Sequence, residues 1–237
     1  MSLLNLVNNL TLNNFLNYDE FFLELDRDYK KKRYSVINFL YWSSFVTSRK
    51  NINYKNSLQI SSFILIDGIG MQIYIKKIFK KQVKDMNGTD LLPILLKKYR
   101  NQNIVFYGSK NSNIKKVYKK AKLENLNIVH YQNGYEELQW NMVPKKSILL
   151  VGKGSPIQEE WILNNIDIIK EKEIIVFGVG GFFDFYSGEV KRCPKIIKKL
   201  CLEWLYRVIN NPKQHYKKNI NNFKLFYFIL KDGWSKL

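Results

Sequence analysis

Six short, almost uninterrupted apolar runs constrain the fold of this chain more than any other feature of its sequence. They are YSVINF (34–39), FILI (63–66), NIVFY (103–107), NIVHY (127–131), SILLV (147–151) and EIIVF (173–177). Strands that are buried on both faces read as continuous apolar runs, whereas half-exposed strands alternate apolar with polar residues. We therefore predict six strands that are covered on both sides.

The segments between these runs carry apolar residues at helical spacing. Examples are residues 68–81, 90–99 and 156–170, the last with Pro156 at a first-turn position. Strands that alternate with helices are typical of a parallel sheet with helices on both faces. We predict an α/β fold, a Rossmann-like and mostly parallel sheet, over residues 1–190.

The pattern changes after Gly188. Residues 193–212 read as one amphipathic helix closed by Pro212, and a second helical stretch follows. The chain has a net charge of +19, and residues 190–237 hold 12 basic and 2 acidic residues, a net charge of +10. We predict a basic helical appendage over 191–237 and an anionic partner; a merely solvated basic tail is the alternative.

Four glycine-bearing segments follow predicted strands, at 66–70, 107–111, 151–159 and 178–185. Ligands of open parallel sheets bind beyond the carboxyl ends of the strands, and glycines there allow close approach of backbone N–H groups to phosphates. No Walker A motif and no GxGxxG motif occurs. Each segment alone reads as a plain turn, but the four together favour a ligand that carries phosphates.

Acidic residues in these segments are the candidates for chemistry. Asp67 directly follows a strand, so it is either a general base or the N-cap of the next helix. Asp184 can bind a sugar hydroxyl or cap its loop, and Glu159 can simply complete the first turn of a helix. Asp26 and Asp28 form a DxD pattern in a charged helical stretch, where side chains at i and i+2 diverge, so we predict solvated surface rather than a metal site.

Several motifs resemble those of the WecG/TagA/CpsF glycosyltransferase family. They are IDGIG (66–70), NGTDLLP (87–93), HYQNGY (130–135), GKGSPIQEEWI (152–162), GVGGFFDFYSGEVKRCP (178–194) and LEWLYRVINNPKQ (202–214). The similarity extends from about residue 34 to residue 215, and the motifs keep the family's order and spacing.

This resemblance implies an inverting transfer of an N-acetylated sugar, commonly N-acetylmannosamine, from a UDP-sugar. The implied acceptor is a polyprenyl-diphosphate-linked sugar at the cytoplasmic face of a bacterial plasma membrane, and the products feed wall teichoic acid, capsule or similar polysaccharides. No cofactor and no DxD-bound metal is expected. The implied partners are therefore the UDP-sugar, the lipid-linked acceptor and an anionic membrane surface; self-association is also expected to be possible.

The resemblance assigns site residues by matching motifs. Asp67 matches the proposed base, and the following residues match positions expected in the sugar-nucleotide pocket or over the diphosphate: Asn38, Gln158, Gly180, Gly181, Asp184, Arg192 and Arg207. Gly68 and Gly108, in two of the glycine-bearing segments that follow strands, are also predicted to bind the substrate. The chain departs from the family at Val36, where a Thr is usual, at Lys84 and Asp85, where an Arg is usual, and at Gln214, which replaces an Arg. These departures bear on the identity of donor and acceptor more than on the reaction class.

The appendage allows two interpretations. Its lysines and aromatic residues suit peripheral binding to an anionic bilayer, which would weaken with salt, or the aromatic face packs on the α/β domain. Two other functions fit parts of the sequence. A nucleic-acid-binding basic module explains the charge but lacks any recognised motif, and a dinucleotide-dependent oxidoreductase lacks GxGxxG.

Overall fold

The structure, a computed structural model, describes residues 15, 17–191, 193–194, 224–225 and 227–232. It contains a six-stranded sheet in the order β2-β1-β6-β5-β3-β4, and every neighbouring pair is parallel. The strands are β1 (Ser35–Tyr41), β2 (Phe63–Asp67), β3 (Ile104–Gly108), β4 (Ile128–Gln132), β5 (Ile148–Gly152) and β6 (Ile175–Gly178). All six predicted strands are present, and the predicted α/β fold is confirmed.

Most of the helices lie in the crossovers between the parallel strands, while the first precedes β1 and the last follows β6. They are α1 (Tyr18–Lys32), α2 (Trp42–Ser48), α3 (Ile52–Gln59), α4 (Ile69–Phe79), α5 (Gly88–Lys98), α6 (Asn111–Leu123), α7 (Ile157–Asn164), α8 (Ile166–Glu171) and α9 (Phe182–Tyr186), with a 3-10 turn at Trp140–Met142. The predicted helices at 68–81 and 90–99 correspond to α4 and α5.

The predicted single helix over 156–170 is wrong in one respect, because it breaks into α7 and α8. Asn165 ends α7 and precedes α8, and its side-chain amide donates to the Trp161 carbonyl at 2.8 Å. Asn competes for backbone hydrogen bonds in this way and so favours helix ends over helix interiors. The break lets the apolar residues of α8 turn back onto the sheet.

Apolar layers cover both faces of the sheet. On one face α1, α5, α6 and α9 pack against alternate strand residues such as Ile37 and Phe106. On the other face α2, α3 and α4 pack at the β1–β2 side around Leu40 and Ile66, and α7 and α8 pack at the centre. Strands β1, β2, β3, β5 and β6 are thus buried on both faces, which explains their continuous apolar sequence. The prediction is wrong for the edge strand β4, where Val129 is exposed and His130 and Tyr131 are half-buried.

The described C-terminal residues, 224–225 and 227–232, are helical and pack against α2 and α4. Phe228 lies beneath the Arg49 guanidinium, whose carbon is 3.9 Å from the ring centroid. The Asp232 carboxylate is buried, pairs with Arg49 at 3.4 Å and accepts from the Tyr74 hydroxyl at 2.8 Å. This part of the appendage therefore packs on the α/β domain.

Other predictions for the appendage stay predictions. Of the helix predicted over 193–212, only residues 193–194 are described, and they are not helical. The rest of it lies outside the described residues, and so does the junction with the second helical stretch. The described residue Tyr227 is 56% exposed and Leu230 is 66% exposed, so the outer side of the C-terminal helix presents apolar surface. Among the helices that the structure describes, none has the length and hydrophobicity needed to cross a bilayer.

Candidate functional site

The carboxyl ends of the strands meet along one edge of the sheet. Tyr41 of β1 pairs with Asp67 of β2, Asn38 of β1 pairs with Gly178 of β6, and Gly108 of β3 pairs with Gly152 of β5. This register brings the segments that the sequence analysis selected to a common edge. Asp67, Asn38 and the glycines named above all lie on it or in the turns that follow it.

Asp67 is the last residue of β2, and its carboxylate is half-buried. One carboxylate oxygen accepts from the Asn87 side-chain amide at 2.8 Å. The N-cap position of α4 belongs to Gly68, one residue later, which disfavours a capping role for Asp67. A carboxylate that is held by a neutral amide at the carboxyl end of a strand can take a proton from an incoming hydroxyl.

Two further polar residues fix the surroundings of Asp67. The segment 85–87 returns alongside β2, because the Met86 amide donates to the Ile66 carbonyl at 2.8 Å. The Asp85 carboxylate accepts from the Gly68 backbone N–H at 2.9 Å, and Gly68 has a positive φ of 87°. Asn87 also caps α5, since its side-chain oxygen accepts from the Thr89 N–H. One short segment thus orients the carboxylate, the turn and the next helix.

Asn38 and Gln158 lie behind the end of β6, and both are buried. The Gln158 side-chain oxygen accepts from the Gly180 backbone N–H at 2.8 Å, and the Asn38 amide donates to Ser61 Oγ at 3.0 Å. A Cβ atom at Gly178 would lie 2.5 Å from Asn38 Oδ1 and 3.0 Å from Gln158 Nε2. Only glycine leaves room for two amide side chains this close to the strand.

Glu159 was predicted only to complete a helix turn, and the structure gives it a different environment. It lies in the first turn of α7, but its side chain is fully buried. Burial in the protein interior raises the pKa of this carboxyl from its ordinary value to about 7. Its Oε1 accepts from the Gln158 side-chain amide at 3.0 Å.

Close backbone packing shapes the ends of β3 and β5. A Cβ atom at Gly108, where φ is 140°, would lie 2.3 Å from the Gly152 carbonyl oxygen, and one at Gly152 would lie 2.5 Å from the Phe183 ring. Phe182 and Phe183 are buried in the core and pack this loop onto the sheet. The loop 178–188 is not irregular throughout, since α9 begins at Phe182.

Asp184 lies in α9 and is half-buried. Its carboxylate accepts from the Asn113 amide at 2.7 Å and from Ser109 Oγ at 3.4 Å, which ties α9 to the turn after β3 and to α6. Burial raises the pKa of this carboxyl, and the hydrogen bond from Ser109 opposes the change. The residue is therefore held in place at the edge of the crevice, beside Gly108.

Lys153 is a site residue that the sequence analysis did not select, although it lies within a quoted motif. Its ammonium donates to the Tyr107 hydroxyl at 2.9 Å and to the Gly134 carbonyl. These contacts fix a half-buried cation at the ends of β3 and β5. The GKG sequence after an apolar run was the available signal, since a lysine between strand-end glycines is suited to a phosphate.

An open cavity of about 310 Å³ lies beside these turns, at the carboxyl end of the edge strand β4. Its lining is mostly polar and consists of Asn111, Lys115, His130, Tyr131, Gln132, Asn133, Glu136 and Gln139. His130 Nε2 is 3.4 Å from Gln132 Oε1 at its wall. The cavity thus continues the crevice at the strand ends toward the outermost strand, β4.

The DxD pattern at 26–28 is distant in the fold from this edge and is not solvated surface. Asp26 accepts from the Tyr99 hydroxyl at 2.7 Å, while Asp28 accepts from Ser35 Oγ at 2.8 Å and pairs with Lys32. The two carboxylates diverge as expected, but both are half-buried and hold α1 in place. Within the described chain, no group of three or more metal-ligating side chains is present.

Arg192 and Arg207, which the resemblance assigns to the diphosphate, lie outside the described residues. The other predicted site residues divide into two groups along the edge. Asp67 and Gly68 lie at β2, while Gln158, Gly180, Gly181 and Asp184 lie around β6, β5 and β3, with Asn38 on β1 between them. The edge therefore offers a carboxylate next to glycine-rich turns.

Comparison with known proteins identifies the family to which this geometry belongs. The family model described as "Glycosyl transferase WecG/TagA/CpsF family" matches residues 6–237. A Bacillus subtilis (strain 168) protein named N-acetylglucosaminyldiphosphoundecaprenol N-acetyl-beta-D-mannosaminyltransferase is 31% identical over 225 residues, which cover 88% of this chain and 86% of the relative. A protein of the same name from Bacillus spizizenii (strain ATCC 23059 / NRRL B-14472 / W23) is 31% identical over 172 residues, 69% of this chain and 66% of that relative. The chain belongs to the WecG/TagA/CpsF family of glycosyltransferases.

Proposed function

We propose that this glycosyltransferase moves N-acetylmannosamine, or a closely related N-acetylated sugar, from a UDP-sugar to a polyprenyl-diphosphate-linked N-acetylglucosamine. The names of the two Bacillus relatives support this choice of sugar and acceptor. The single observation that carries the chemistry is the half-buried Asp67 carboxylate at the end of β2, held by Asn87 beside the glycine-rich turns. The products would enter the synthesis of teichoic acid or a similar surface polysaccharide.

The reaction is a direct displacement. The acceptor hydroxyl attacks the anomeric carbon, the bond from that carbon to the UDP oxygen breaks, and the hydroxyl proton passes to Asp67. One C–O bond forms and one breaks, so attack from the face opposite UDP inverts the anomeric configuration. General-base assistance of this kind is worth about 10²–10⁴ in rate.

The turns after β6, β5 and β3 are proposed to hold the donor. Gly108, Gly180 and Gly181 are proposed to leave room for the diphosphate beside backbone N–H groups of these turns, although the N–H of Gly180 itself is held by Gln158. Asp184 is proposed to accept from a hydroxyl of the nucleotide-sugar. Lys153 supplies a nearby positive charge, and Arg192 and Arg207 are proposed to add theirs. Positive charge there stabilises the negative charge that develops on the leaving UDP.

The acceptor requires action at a membrane surface. We place the protein at the cytoplasmic face of the membrane, with the C-terminal helix oriented so that Tyr227 and Leu230 face the bilayer. Lysines of the appendage would add electrostatic attraction to anionic lipids, at about 1 kcal/mol each. Binding to anionic vesicles should weaken as the salt concentration rises.

The first experiment is thermal stabilisation by UDP, UDP-N-acetylmannosamine, UDP-N-acetylglucosamine, GDP-mannose and NAD, followed by transfer assays with a short polyprenyl-diphosphate-N-acetylglucosamine. A ligand present at about 100 times its Kd stabilises the native state by about 2.7 kcal/mol. We expect stabilisation by uridine nucleotides alone and transfer from UDP-N-acetylmannosamine. Stabilisation by NAD alone, or transfer only from another donor, would contradict the proposal.

A further inference from the structure

The donor side of the site contains a chain of hydrogen bonds that starts at a fully buried acid. Glu159 Oε1 accepts from Gln158 Nε2 at 3.0 Å, and Gln158 Oε1 accepts from the Gly180 backbone N–H at 2.8 Å. Gly180 has a positive φ of 55° and lies in the turn that follows β6. A carboxylate that is remote from solvent is thereby connected, through one amide, to the backbone of the proposed diphosphate loop.

The donor-to-acceptor direction of these hydrogen bonds depends on Glu159. An amide group can present its oxygen or its nitrogen to a neighbour, and a backbone N–H requires the oxygen. Glu159 accepts hydrogen bonds when it is ionised, so it selects the orientation in which Gln158 points its nitrogen at α7 and its oxygen at Gly180. If the Gln158 amide were reversed, its nitrogen would face the Gly180 backbone N–H, and two donors would oppose each other. The acceptor on Glu159 disfavours this orientation.

The surroundings of Glu159 show that it has no role as an ion-pair partner. The charged group that acts on it is Glu160, an acid of the same helix, and the phenol of Tyr54 from α3 is the other titratable group nearby. The Ser155 hydroxyl also acts on this carboxyl and opposes the rise of its pKa, although neither Glu159 Oε2 nor Ser155 Oγ makes a hydrogen bond of good geometry among the described residues. Burying such a group is costly, so its retention needs a gain elsewhere.

Gln158 has little freedom to serve the substrate directly. It is 3% exposed, and both polar atoms of its side chain are used within the protein. Its nitrogen also lies close to Gly178, where only a glycine fits. Gln158 therefore acts on the donor through the backbone of the turn.

We infer that Glu159 is a positioning residue: it orients the Gln158 amide, which in turn holds the Gly180 N–H and the turn at 178–181 in the geometry that receives the donor diphosphate. This inference rests on the proposed function for the identity of the ligand. The positioning itself is a property of the protein alone and can be measured without any ligand.

The test uses the full chain with Glu159→Met, which removes the acceptor at similar length, and Glu159→Gln, which keeps an acceptor oxygen. The matched control is Glu160→Met, on the same helix turn, where the carboxylate instead accepts from Asn51 at 2.7 Å. Hydrogen exchange of the Gly180 amide reports the position of the turn, and UDP affinity by calorimetry reports its consequence.

We expect Glu159→Met to speed exchange of the Gly180 amide about tenfold and to weaken UDP binding about tenfold, with Glu160→Met unchanged and Glu159→Gln within about threefold of the wild type. Gln158→Met should cause the same losses, and the double variant should add nothing, because the two residues act in series. Unchanged Gly180 exchange in a folded Glu159→Met protein, or losses that multiply in the double variant, would overturn the inference.

The outcome separates this inference from the proposed function. If the wild type fails to bind UDP while Gly180 exchange still depends on Glu159, the choice of ligand is wrong and the positioning role stands. If the wild type binds UDP and Glu159→Met binds it equally well, the proposed function stands and the positioning role is wrong.

Discussion

The two sides of the proposed site are built by opposite means. At β2, polar side chains hold one another: Asp67 accepts from Asn87, and Asp85 accepts from the Gly68 N–H. At β6, β5 and β3, the missing side chains of Gly178, Gly152 and Gly108 let backbones and amides approach closely. We therefore expect the first side to depend on the chemistry of its side chains. On the second side, an added carbon at Gly178, Gly152 or Gly108 would lie 2.5 Å or less from a neighbouring atom.

The largest expected effect comes from replacing the Asp67 carboxylate, at the β2 side, with an amide of the same shape. Asp67→Asn retains an oxygen that can accept from Asn87 but removes the base, so turnover should fall about 10²–10⁴-fold. UDP affinity should stay close to that of the wild type, since the donor turns are untouched. Steady-state transfer assays and calorimetry measure the two quantities.

Asp90→Asn, in the first turn of α5, is the control for loss of an acidic residue in the same region. It should keep turnover near the wild-type value. Turnover of Asp67→Asn within about threefold of the wild type would remove Asp67 from the mechanism, and so would a loss that appears only in UDP affinity.

The second prediction concerns the buried acid on the glycine-rich side. Because burial raises the pKa of Glu159 from 4.5 to about 7, its stabilising contribution is present below pH 4.5 and is lost as the pH rises through 7. That shift corresponds to about 3 kcal/mol. Relative to the wild type, Glu159→Gln should gain stability over this pH range and keep a constant difference above it.

Urea unfolding at several pH values between 4 and 8 measures this difference. Asn164→Gln, at an exposed position of the same helix, is the control, because it neither adds nor removes a titratable group. A constant difference between Glu159→Gln and the wild type across the range would show that the carboxyl titrates normally.

A smaller effect is expected from one added carbon on the glycine-rich side. Gly152→Ala would bring a Cβ atom to 2.5 Å from the Phe183 ring, and relieving that contact should cost about 1–3 kcal/mol of stability. Since Phe183 belongs to α9, Asp184 should also move and UDP binding should weaken. Gly188→Ala, with a φ of 84° and no atom within 4 Å of the new carbon, should lose stability through strain but keep its UDP affinity.

The smallest effect tests how the C-terminal helix is attached to α2 and α4, near the β2 side of the proposed site. Arg49→Lys keeps the charge but loses the stacking on Phe228 and the two-pronged contact with Asp232, which should cost about 1 kcal/mol. Limited proteolysis should then cut near residues 224–232 sooner. Arg27→Lys, whose partner Glu24 is solvent-exposed, should change nothing measurable.

Much of this edge follows from local sequence. Strands buried on both faces have a distinctive apolar pattern, and a parallel sheet places every loop that follows a strand on the same side. The position of Asp67 and of the glycines of 178–181 along one edge was therefore predictable. The resemblance to a family added the reaction that these residues are proposed to serve.

What the sequence did not reveal depends on contacts between distant residues. Asn87 meets Asp67 only because the segment 85–87 returns along β2, and nothing local to Glu159 distinguishes a buried acid from one that favours a helix N-terminus. The DxD pattern was read as solvated for the same reason, since Tyr99 lies far from Asp26 in sequence. Side-chain polarity alone does not report which polar groups find buried partners.

The order of the strands has a consequence for how the chain comes to be active. Strand β6 lies between β1 and β5, so it is the strand that joins the pair β2-β1 to the trio β5-β3-β4. Until residues 175–178 are inserted, the two parts have no shared hydrogen-bonded edge, and forming contacts between such distant segments is slow. The turn at 178–181 emerges from that same strand. A partly assembled chain therefore lacks the proposed donor turn altogether, and we expect a newly made molecule to gain its ability to bind nucleotide in the same step that completes its sheet.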